Sequence, residues 1–385
     1  IGISYANTPQ VAAADGEGNY GRASEILKNG FLLNGITGVL LFMIVFVASP
    51  VLYILDQPKE VVDTAVPYLN IITLSLIPLM VFQTFRQFAE GLSKTRQAMF
   101  IVIASNLINI GLNYVLIYGK VGFPALGLYG AGWASFISRI LLALCMMGYI
   151  YFNSDFRKFR LGFSVKNYSR SLIKRLVSIG LPAGLQFIFE VGAFGFAVIM
   201  MGWISTEALA AHQIAVNLAA VSYMAATGLS AAATIRVGNQ LGKKDIPTLR
   251  AAVFTLYGMV VSFMLLCALI FFLGRQFLPE LYIQDAEVIT IASSLVVIAG
   301  FFQLSDGVQV VSLGALRGLQ DVKIPTALTF IAYWIIALPV GYVLAFQMGW
   351  GAEGIWYGLF IGLTIVAIVM SFRFNKLTKM RVIGY

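Results

Sequence analysis

Two acidic side chains lie where acids are costly. Glu190 falls in SIGLPAGLQFIFEVGAFGFAVIMMG with Gln186 one turn earlier, and Asp306 falls in FFQLSDGVQVVSLGALRG between Gln303 at i−3 and Gln309 at i+3. Neither apolar run, drawn over 177–203 and 287–315, holds a basic residue that could neutralise its acid. Such acids either accept hydrogen bonds inside a helix interface or form a site for a proton or metal cation, and two of them in one half of the chain favour the cation site. If the cation is a metal ion, Glu190 and Asp306 are its ligands. The run between them adds Gln213 and Asn217, one turn apart, and it places His212 and Tyr223 on one face to within about 20°. His212 is either a satisfied interface residue or a proton shuttle. Tyr223 and Phe302 are expected on a cavity wall, where an aromatic face holds an organic cation. Earlier in the chain, Asn106, Asn109 and Asn113 recur at i, i+3 and i+7. That stripe either glues helices together or lines a cavity. Arg86 and Glu90 read as an intrahelical pair, and Arg139 stands in the middle of its run with no partner legible in sequence.

The elements that carry these residues are long and apolar. Of 385 residues, 59% are hydrophobic and 11% charged, with a mean hydropathy of +0.86. A soluble domain carries about 25% charged residues, so the composition implies a polytopic, all-α membrane protein. Ten runs approach the roughly 20 residues that cross hydrocarbon: 31–55, 67–90, 97–118, 128–152, 177–203, 209–235, 251–274, 287–315, 324–346 and 354–373. Residues 1–14 read as the tail of an eleventh. Pro182, in GLPAG, is a candidate hinge two turns before Glu190, and Pro78 and Pro339 mark further bends.

Charge orients the runs. Loops and ends on one side hold 21 of the 26 Lys and Arg, which places the basic loops and the C-terminus in the cytoplasm. The net charge of +9 is then a topology signal, and no nucleic-acid partner is expected. Cys145 and Cys267 fall mid-run and imply no disulfide framework. One histidine cannot supply H-E-x-x-H or any paired-His site, so an intramembrane hydrolase is excluded and no cofactor is expected.

The halves of the chain repeat. Val11–Gly16 aligns with Val237–Gly242, Leu52–Ile54 with Leu281–Ile283, Gly91–Leu92 with Gly318–Leu319, and Gly127-x-x-Gly130 with Gly351-x-x-Gly354, at offsets of 224 to 229. Matched ends share a membrane face, so the copies are parallel and related by a pseudo-two-fold along the membrane normal. The expected domains are an N-lobe at 1–152, a linker at 153–175, a C-lobe at 176–374 and a cytoplasmic tail at 375–385. Extending the offset to the first copy places its start about 50 residues before Ile1. The inferred parent therefore has two six-helix lobes, the first N-terminally incomplete here.

ALAAHQIA at 208–215 followed by GLSAAATIRVGNQLG at 228–242 resembles the second-lobe signature of the multidrug and toxic compound extrusion (MATE) transporters, in their bacterial NorM-like branch. GLP at 180–182, the two acid positions and GLYGAGWASFISR at 127–139 also fit. The resemblance implies a twelve-helix antiporter of the bacterial inner membrane, lacking its first span in this chain, that exchanges inward Na+ or H+ for cationic amphipathic drugs. It implies a second-lobe cation site at Glu190 and Asp306, a cavity face at Gln213 and Tyr223, and a half-site at Asn109 and Asn113. Phe302 stands where the family often carries tyrosine, one oxygen ligand fewer. A lipid-linked oligosaccharide flippase of the same superfamily is the alternative, although a basic cavity would be expected of it. The partners expected are membrane lipid and small cationic compounds, with the protein acting as a monomer.

Overall fold

The structure, a computed structural model, describes residues 2–54, 58–159 and 168–383. Arg160 and Lys166 of the linker lie outside the described residues. The described chain is helical: α1 (Asn7–Gly16), α2 (Tyr20–Ala48), α3 (Lys59–Leu74), α4 (Leu76–Gly91), α5 (Thr95–Tyr118), α6 (Leu128–Phe152), α7 (Arg170–Ile204), α8 (Thr206–Gly242), α9 (Ile246–Leu273), the short α10 (Phe277–Glu280), α11 (Ala286–Gly318), α12 (Lys323–Phe330), α13 (Leu338–Tyr342) and α14 (Gly351–Ile383). Ten helical stretches among the described residues are long and apolar enough to cross a membrane, one for each apolar run. The helices outrun the runs, because hydropathy marks only what lies at lipid depth while backbone bonding continues past it. Polar caps start several of them: Asn19 accepts from the Arg22 amide, Ser205 from Ala208, and Asp245 from Thr248.

The chain divides into two compact units, Ile3–Gly180 and Leu181–Tyr385. That division falls inside α7, later than the linker read from sequence. Ser154–Phe159 forms a 3-10 turn, and Arg170–Arg175 already belong to α7. The residues read as a tail continue α14 as far as Ile383. Polar composition marked both segments as connectors, but a helix needs only its own backbone bonds to persist there.

In the first unit, α4 is central, packing on α1, α2 and α6; in the second, α11 packs on α8, α9 and α14 in the same order. The two pairings share hydrogen bonds. Thr234 Oγ1 donates to the Gly314 carbonyl at 2.9 Å, and Thr8 Oγ1 to the Gln87 carbonyl at 3.3 Å. Residues 4–14 are thus a bound helical segment, with Val11 and Ala12 fully buried. Helix α7 runs through Pro182 unbroken, and the Pro182 carbonyl accepts from Thr326 of α12. Pro78 follows a break between α3 and α4 at Ser75, and Pro339 lies in α13 between π-helical stretches at Ile331–Ala337 and Val343–Gln347.

Candidate functional site

The site lies within the second unit, where α7, α8, α11 and α14 enclose a cavity of about 270 Å³. Glu190 and Asp306 both line it, and both are buried, at 8% and 4% exposure. Among the described residues neither forms an ion pair: the four pairs are Arg22–Glu17, Arg86–Glu90, Lys94–Asp155 and Arg373–Asp321. The expected Arg86–Glu90 pair closes at 2.7 Å.

The acids differ in their hydrogen bonding. Tyr333 donates to Gln309 Oε1 at 3.2 Å, and Gln309 Nε2 donates to Glu190 Oε1 at 3.2 Å. Because a phenol hydroxyl donating to Oε1 turns the amide NH2 toward the carboxylate, the chain fixes Gln309 in the orientation that serves Glu190. No hydrogen bond among the described residues engages Asp306, which is one turn from Gln309 on α11.

The walls are aromatic. Tyr223, Phe194, Phe302 and Trp356 line the cavity, with Phe302 edge-on to Phe194 at 6.1 Å and to Trp356 at 5.8 Å. Such ring faces beside two carboxylates suit an amphipathic cation. His212 is fully buried behind the wall, its Nδ1 accepting from the Trp356 indole at 3.1 Å. That bond places the proton of the neutral ring on Nε2. His212 is therefore an interface residue on its Nδ1 side.

Other residues read from sequence fall elsewhere. Gln186 is buried on α7 but outside the lining. Gln303 is fully buried in the α8–α11 interface, where its Oε1 accepts from Ser222 at 2.8 Å. Gln213 and Asn217 stand exposed on α8, joined by a 2.9 Å bond from Asn217 Nδ2 to the Gln213 carbonyl. In the first unit, Asn106 is exposed, Asn109 donates to Ser138 Oγ at 3.2 Å, and Asn113 donates to Asn109 Oδ1 at 3.0 Å. Two of the three thus bond within the α5–α6 pair. Arg139 donates to Ser75 Oγ at the α3–α4 break.

The expectation that neither span holds a basic residue able to neutralise its acid needs correction. Helix α11 extends to Gly318, and Arg317 is buried within it at 8% exposure. Its guanidinium lies 5.9 Å from the centre of the Phe187 ring, a cavity-lining side chain, and it acts electrostatically on Glu190. The run drawn to residue 315 stopped two residues short of it. Trp356 and Tyr333 were also missed.

Against known proteins, the MatE family model matches residues 1–115 and 182–343. The probable multidrug resistance protein NorM of Rhizobium meliloti is 33% identical over 383 residues, covering 98% of this chain and 82% of the relative. The multidrug resistance protein MdtK of Yersinia enterocolitica is 35% identical over 387 residues, covering 98% and 84%. The fold superposes on an outward-facing multidrug resistance MATE family transporter of the MOP superfamily, with a TM-score of 0.90 at 17% identity over 99% of this chain and 84% of that one.

Proposed function

Because this chain belongs to the MATE family, as a multi-pass membrane transporter, we propose that it exports cationic, amphipathic compounds in exchange for Na+ or H+ through the Glu190–Asp306 cavity. One observation carries the reading: two carboxylates that form no ion pair among the described residues share one aromatic-walled cavity. When ionised, they attract the cationic end of a drug, while the rings cover its apolar body. A coupling cation neutralises the same charge and weakens drug binding, and that difference in affinity between conformations drives exchange. Glu190, held by Gln309 and Tyr333, supplies fixed charge, and Asp306 is the exchangeable ligand.

Among the described lining residues, only Glu190, Asp306 and Tyr223 carry side-chain oxygens, since Phe302 adds none. So sparse a set favours H+ over Na+. With the basic loops cytoplasmic, the coupling ion enters as drug leaves. Pro182 is proposed as the hinge through which α7 carries Glu190 between states.

Asp306→Asn tests the reading. Ethidium efflux should fall at least tenfold, with unchanged amounts of monodisperse protein in the membrane; undiminished efflux overturns it. Reconstituted vesicles with imposed Na+ or pH gradients identify the ion.

A further inference from the structure

A separate groove of about 510 Å³ runs along α11 between α9 and α14, which both pack on α11 but scarcely meet each other. Leu304 and Val308 form its floor, and Phe254, Tyr257, Ile368 and Phe372 its walls. Phe254, Ile368 and Phe372 are half or more exposed, at 50%, 50% and 69%. The hydroxyls along the groove satisfy one another, Ser305 with Thr364 at 2.8 Å and Tyr257 with Ser312 at 2.8 Å, so the lining offers mostly carbon. At one end, where α9 begins, stands Arg250. Its guanidinium donates to Asn375 Oδ1 at 2.8 Å and to Thr378 Oγ1 at 2.6 Å, and lies 5.5 Å from the centre of the Phe254 ring. Lys243, Lys244, Lys376 and Lys379 put this end on the basic side of the membrane.

The first unit shows what occupies the equivalent place there. There α2 and α6 flank α4 as α9 and α14 flank α11. The corresponding end is covered by the 3-10 turn at Ser154–Phe159, with Phe156 and Phe159 buried and their rings 6.1 and 5.6 Å from Phe88. Ser24, the repeat counterpart of Arg250, donates to the Phe159 carbonyl at 2.8 Å. In the second unit α14 continues as helix to Ile383 instead of turning back. An arginine replaces the serine.

We propose that this groove binds an anionic phospholipid from the leaflet on the basic side, one acyl chain lying along α11 and the phosphate meeting Arg250. Apolar walls match the chain, and a guanidinium at headgroup level matches a phosphate. The same charge opposes a cationic drug there. The lipid takes the place that Phe156 and Phe159 take in the first unit, holding α9 against α14.

The test is native mass spectrometry of the full chain in detergent, titrated with palmitoyl-oleoyl phosphatidylglycerol or phosphatidylcholine. The protein should retain phosphatidylglycerol at least fivefold better. Arg250→Gln should erase that preference. Val308→Phe, which fills the floor and leaves the bonds of Arg250 intact, should reduce retention of both lipids at least fivefold. Circular dichroism and a monodisperse elution profile in detergent check that each variant is folded, and ethidium affinity should be unchanged by Val308→Phe. Equal retention of the two lipids, or unaltered retention in a folded Val308→Phe protein, overturns the proposal. So does displacement of phosphatidylglycerol by millimolar inorganic phosphate, which would mean a headgroup site without the groove. Loss of ethidium binding in Val308→Phe overturns it by making the groove a drug site.

Discussion

At the residue scale, the cavity separates an acid that is held by hydrogen bonds from one that has none among the described residues. The Tyr333–Gln309–Glu190 chain spends its donors on one carboxylate and none on the other. Trp356 has two roles, as cavity wall and as donor to His212. Trp356→Phe keeps a ring in the wall but leaves His212 Nδ1 buried without its donor, which costs about 1–3 kcal/mol. A lowered melting temperature in detergent, with ethidium affinity within about threefold of the parent, is the expected outcome; unchanged stability would show the bond contributes nothing. Of the cavity lining, the sequence reading singled out Glu190, Asp306, Tyr223 and Phe302, and helical periodicity held a signal for two more that it left unnamed. Phe187 and Phe194, at −3 and +4 from Glu190, share its helical face. Arg317, eleven residues after Asp306, lies within about 20° of the same face, but a hydropathy boundary concealed it. Trp356 and Tyr333 were not legible, because they reach the site from α14 and the π-helical part of the ninth span, and no periodicity relates those helices to α7 or α11. Asn217 was placed by polarity alone and Gln213 by polarity together with the family resemblance, and neither tells this cavity from any other exposed face.

At the element scale, small residues set the distance between α8 and α11. A Cβ on Gly314 would come within 2.3 Å of the Ser230 carbonyl oxygen, and one on Gly318 within 2.7 Å of Val237 Cβ. Their four-residue spacing is the close-packing pattern of membrane helices, where contact and interhelical hydrogen bonds replace the hydrophobic effect. In the first unit, a Cβ on Gly91 would come within 2.8 Å of Val11 Cβ. Gly314→Ala and Gly91→Ala should each destabilise their unit by about 1–3 kcal/mol through overpacking. Gly228 has no neighbour within 4 Å, so Gly228→Ala should be neutral or stabilise α8 by up to about 1 kcal/mol. Unfolding in mixed micelles can rank the three, and a Gly228→Ala protein weaker than Gly314→Ala would contradict the packing argument. The ten spans were readable as apolar runs because lipid demands them. Their true ends were not, because caps such as Asn19 and Ser205 act through local hydrogen bonds that leave little trace in hydropathy.

At the scale of the whole molecule, the repeat is a repeat of packing more than of sequence. Thr8 and Thr234 each reach the carbonyl of the aligned residue on the central helix, although Thr8 also donates to the Gln87 side-chain oxygen, an acceptor that Gly314 lacks. A second case is reciprocal. In the first unit Gly38 lies against Met80, its Cβ position 3.4 Å from the methionine side chain; in the second, Met264 lies against Gly307, at 2.7 Å. Under the repeat, Gly38 corresponds to Met264 and Met80 to Gly307, so each unit fills one helix crossing with one methionine and one glycine from opposite sides. If the crossings are equivalent, the second should accept the arrangement of the first. Gly307→Met alone places two methionines together and should cost about 1–3 kcal/mol, while Met264→Gly alone leaves a cavity costing about 2–5 kcal/mol. The double variant should be more stable than either single one, a coupling that independent sites would not show. Equilibrium unfolding of the four proteins measures it, and losses that simply add would mean that the two crossings are packed by different rules.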